Sequence, residues 1–64
     1  MDTMNWETAK NIALAPELYE PAYVIAAIAQ LEKEAGFLAT ARHHRGMRQI
    51  RAAIQKCQTA LQTA

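Results

Sequence analysis

The sequence predicts an all-α protein: a short N-terminal helix followed by an antiparallel helical hairpin that becomes a helical bundle when two copies associate. Three observations carry this expectation. Met47, Ile50, Ile54, Cys57 and Leu61 recur at intervals of three and four, which lays one apolar seam along an α-helix. Val24, Ile28, Leu31 and Ala35 repeat the pattern earlier in the chain. Pro16, Pro21 and Gly36 fall between the periodic stretches, where chain reversals belong.

Taken in order, the first helix is expected from about Asn5 to Leu14. Trp6, Ala9, Ile12 and Ala13 share one side, and Thr3 or Asn5 supplies the cap. Pro16 ends it by driving Ala15 toward extended backbone. A helix this short does not persist alone, so Trp6 must dock on the rest of the chain.

The segment Ala15 to Pro21 reads as an elbow in which Leu18 and Tyr19 fold back as a latch. Pro21 opens the second helix, because the amide hydrogen it lacks has no bonding duty in a first turn. Glu17 and Glu20 lie near that start, where negative charge is favourable. This helix is expected to end at Ala35, with Gly36 as a left-handed C-cap. Ile25 widens its apolar stripe. Ala22, Ala26, Ala27 and Ala29 leave its first half apolar nearly all round, the pattern of a sandwiched helix.

The third helix begins at Phe37 or Thr40 and reaches Leu61. Phe37 and Leu38 fall off the line of its seam, which argues for a bend near Gly36. His43 extends the seam backward, as a half-buried polar group paired across a helix interface. Gly46, Ala53 and Ala60 sit immediately before Met47, Ile54 and Leu61. Their small size would let a partner helix come close, closing a four-helix core from two copies.

Size bounds the reading. A chain of 64 residues is one domain at most, and much of its 52% hydrophobic fraction is alanine, which buries little area. The single cysteine, Cys57, excludes an internal disulfide and suits a reducing, cytoplasmic setting. No positively charged leader precedes an apolar run, and the longest such run, Ala22 to Ala29, falls short of the roughly 20 residues a spanning helix needs.

Charge is nearly balanced, formally +1, but unevenly placed. Up to Glu34 the acids Asp2, Glu7, Glu17, Glu20, Glu32 and Glu34 outnumber the bases. From Gly36 onward there are no acids, only Arg42, Arg45, Arg48, Arg51 and Lys56. Such a dipolar chain suits antiparallel pairing or an anionic partner.

The chemistry-bearing residues point away from catalysis. His43 and His44 are adjacent, so their side chains diverge by about 100° and miss the same-face spacing of a zinc helix. Cys57 lies on the seam beside Lys56 and reads as a small core hydrophobe. No metal, cofactor or small-molecule substrate is expected, and no membrane role. The apolar stripe of the third helix, built of medium side chains with alanine and glycine beside them, suits helix packing better than lipid.

Two partner surfaces remain. Leu18, Tyr19 and Tyr23 form an aromatic elbow that, with Trp6, is expected to serve as core, or else as an exposed recognition patch. Arg42, His44, Arg45, Arg48 and Arg51 make a basic outer face on the third helix. The expected function is therefore a non-enzymatic protein-binding or assembly module, acting as a homo-oligomer or on a larger protein. The alternative is a small dimeric nucleic-acid-binding regulator laying that basic face along phosphates, although residues 31–50 are only loosely like a helix-turn-helix.

Overall fold

The computed structural model describes residues 4–63. They form α1 (Trp6–Leu14), a 3-10 turn (Pro16–Leu18), α2 (Pro21–Thr40) and α3 (His44–Thr63), with no strand among the described residues. The predicted all-α architecture is the one observed, with a short first helix set against a hairpin of α2 and α3.

Local chemistry explains each boundary of α1. Asn5 is in extended backbone, and its Oδ1 accepts from the Thr8 amide at 2.7 Å, satisfying one of the donors that a helix start leaves free. Thr3, the other predicted cap, lies outside the described residues. At the far end Ala15 leaves the helical region (φ −148°, ψ 69°) without becoming fully extended, and its amide donates to the Ile12 carbonyl; the following proline disfavours a helical conformation there. The elbow is then held by the Leu18 and Tyr19 amides, which donate to the Ala15 and Pro16 carbonyls at 3.1 Å each. Glu20 is extended and Pro21 takes the first turn of α2.

Gly36 does not end α2. The helix runs through it to Thr40, a correction to the expected stop at Ala35. Glycine in a helix costs only about 1 kcal/mol, and the extra turn places Leu38 against the core. The reversal comes instead at residues 41–43. The Arg42 amide donates to the Ala39 carbonyl at 3.1 Å and the His43 amide to the Leu38 carbonyl at 2.9 Å. This pair of bonds is the Schellman closure of a helix end. It requires a left-handed residue, and Arg42 supplies it with φ 58°.

The core is thin. Ile12, Val24, Leu31, Ile50 and Cys57 are buried together with Ala9, Ala13 and Ala27, while Trp6, Ile28, Leu38, Ile54 and Leu61 pack around them half-covered. The Cα envelope measures 34 × 28 × 15 Å, and a slab that thin leaves every helix with one face in solvent.

Candidate interaction surface

The α3 seam is satisfied within the chain. Ile50 and Cys57 are buried, and Gly46, Met47, Ala53, Ile54, Ala60 and Leu61 are half-buried. Gly46 makes its close approach to its own hairpin: a Cβ there would lie 2.6 Å from His43 Nδ1 and 3.0 Å from Leu38 Cδ1. His43 departs from the expectation of a half-buried seam residue. It is exposed, because α3 starts one residue later, and its Nδ1 accepts the Gly46 amide at 3.0 Å. It is the N-cap of α3, a role usually filled by Ser, Thr, Asp or Asn.

Cys57 is wholly covered, at 0% exposure. Burial pushes its thiol above the ordinary 9.0, and the Lys56 charge beside it only partly opposes that rise. The group is therefore a protonated, inert core side chain at neutral pH. Lys56 itself turns to α1, its Nζ donating to the Leu14 carbonyl at 2.7 Å. A cation there satisfies an orphan carbonyl at the negative end of the helix dipole. Lys10 stands over the Trp6 ring, 5.4 Å from its centroid. Between α1 and α3 these residues border an apolar cleft of about 380 Å³, with Leu14, Leu38, Ile50 and Ala53 in its walls.

The aromatic elbow is not core. Leu18 is 78% exposed, and Tyr19 and Tyr23 are exposed as well. Pro16 fills the buried position that the latch was expected to take. Nor do these residues gather around Trp6, which lines the α1–α3 cleft, whereas Tyr19 lines a separate hollow with Pro21, Val24 and Leu61.

Arg42, His44, Arg45, Arg48 and Arg51 are all exposed. At about 100° per residue, Arg48 falls opposite Ile50 and Cys57, with Arg45 and His44 on either side of it and Arg51 at the margin. The sequence places them outward and so does the fold.

One surface was missed by sequence reasoning. Val24, Ala27, Leu31 and Leu38 give α2 its inward face, so Ala22, Ile25, Ala26, Ala29, Gly36 and Phe37 form the opposite one. Ile25 and Phe37 are 58% and 73% exposed. The signal is present in the sequence as apolar character all round the helix, the pattern of a sandwiched helix. Three helices supply only enough surface to cover one side.

Among the described residues no three His, Cys, Asp or Glu side chains gather to hold a metal, and no helix is long and apolar enough to cross a membrane. Comparison with family models, curated proteins and solved structures finds no match.

Proposed function

We propose that this chain is a non-enzymatic, cytoplasmic assembly module that recognises another protein by helix packing. The observation that carries this reading is the outward face of α2, where Ile25 and Phe37 stand in solvent across a floor of alanine and glycine. Large apolar side chains grouped on one helix face of a small domain mark a contact surface, and the small residues between them let a second helix approach closely. Leu18 in the preceding 3-10 turn and Tyr23 in the first turn of α2 are exposed as well.

The test is photocrosslinking in living cells with a benzophenone residue at position 37. Protein adducts of discrete mass that survive nuclease and vanish on Ile25→Glu are expected. Absence of protein adducts, with the chain folded, would overturn the reading.

A second reading rests on the outward arginines of α3. As a nucleic-acid binder the chain would hold DNA or RNA with an affinity that falls steeply with salt, and it would lose that affinity on Arg48→Glu with Arg51→Glu.

A further inference from the structure

Resting on that reading of the α2 face, we propose that its occupant is a second copy of this chain, packed antiparallel with the two α2 helices crossing at the level of Leu31. The register follows from the order of residues along the face. Ile25 and Phe37 are equidistant from Leu31, so in this pairing each copy sets its Ile25 against the other's Phe37. The same symmetry brings Ala26 to Gly36, Ala22 to Thr40 and Ala29 to Lys33. Large meets large at Ile25 and Phe37, and the two small residues Ala26 and Gly36 meet each other. Gly36 has open space where a Cβ would stand, which the neighbouring helix fills.

Charge points to the same orientation. Glu17 and Glu20 stand at the start of α2, while Arg42 and Arg45 follow its end. All four are exposed. Antiparallel packing puts the acidic end of one copy beside the basic end of the other and opposes the two helix dipoles. Parallel packing would put acid on acid and base on base. Arg42 adds an independent indication. It occupies a left-handed position (φ 58°) that glycine fills without strain, and a strained residue that persists at a surface points to use of its side chain. In this register it lies opposite Glu20.

The contact is modest. A 20-residue helix is about 30 Å long and presents a strip about 10 Å wide, so two such faces bury on the order of 600 Å², below the roughly 1,000 Å² of a stable interface. The dimer is thus weak and reversible. Lys33 is the one charge inside the strip, and each copy brings one, so Lys33→Ala tightens the pairing.

Cysteines introduced one at a time at exposed positions of a Cys57→Ala background test the register, because a disulfide forms only where Cα atoms come within about 7 Å. Ile25→Cys mixed with Phe37→Cys is expected to give a disulfide-linked dimer under mild oxidation, whereas neither variant links to itself. Self-linking of either variant, or absence of linking in the mixture, would overturn the proposal. Sedimentation supplies a second readout without introduced cysteines. Glu20→Arg should weaken the dimer about tenfold, with restoration on adding Arg42→Glu; no change in either would overturn it. If benzophenone at position 37 captures only a different protein, self-pairing fails while the assembly reading stands. If it captures no protein, both fail.

Discussion

His43 Nδ1 accepts the Gly46 amide at 3.0 Å, and that bond joins the end of one helix to the start of the next. The same His43 donates its own amide back to Leu38, so a single residue closes α2 and caps α3. Removing the ring leaves a helix-start donor without its partner. His43→Ala should therefore cost about 1 kcal/mol in urea denaturation, and His43→Asn should recover most of it. Equal stability of all three proteins would show that the bond contributes nothing.

The two glycines predict opposite outcomes for the same change. At position 46 a methyl group meets the capping ring at 2.6 Å, so Gly46→Ala must displace the cap and press on Leu38, lowering the melting temperature. At position 36 nothing lies within 4 Å and the helix continues through, so Gly36→Ala should stabilise a dilute sample by about 0.5–1 kcal/mol. Arg42→Gly, which relieves a left-handed arginine, should add about 1 kcal/mol.

Much of this chain was legible in its residues, and the failures have a common cause. Asn5, Pro16 and Pro21 bound their elements as side-chain and backbone chemistry requires, and the Ile50–Cys57 seam turned inward as its period demanded. The α2–α3 turn was misplaced because its two special positions are filled by unusual residues, arginine for glycine and histidine for asparagine. Gly36, the residue with the conventional signature, is merely tolerated inside a helix. The elbow, read first as core and second as an exposed patch, and the outward face of α2 were misjudged for a different reason. Periodicity says that a face is apolar, but how much partner surface the fold can supply is decided only in three dimensions.

Cys57 should resist alkylation in the native protein at pH 8 and react readily in urea, since its thiol is covered and held above its ordinary value. The sign of the pH effect follows. The folded state holds the proton more tightly than the unfolded chain, so this stabilisation is complete below about pH 9 and is lost as pH rises beyond it. The fall in urea midpoint between pH 8 and pH 10 is expected to be smaller in Cys57→Ala than in the unaltered chain.

Lys56 ties α3 to the end of α1 through the Leu14 carbonyl. Because the contact is solvent-exposed, Lys56→Met should cost no more than about 1 kcal/mol while loosening α1 selectively. Amide exchange would register this as faster exchange over Trp6–Leu14 with little change in α3.

The claim on which the rest depends is that Ile25 and Phe37 face away from their own core while Leu31 faces into it. Urea denaturation of the Ile25→Glu/Phe37→Glu double variant, at a concentration too dilute for self-association, tests it directly. The variant should keep its helicity and unfold within about 1 kcal/mol of the unaltered chain, whereas Leu31→Glu should not fold. An unfolded double variant, or a folded Leu31→Glu, would contradict the account.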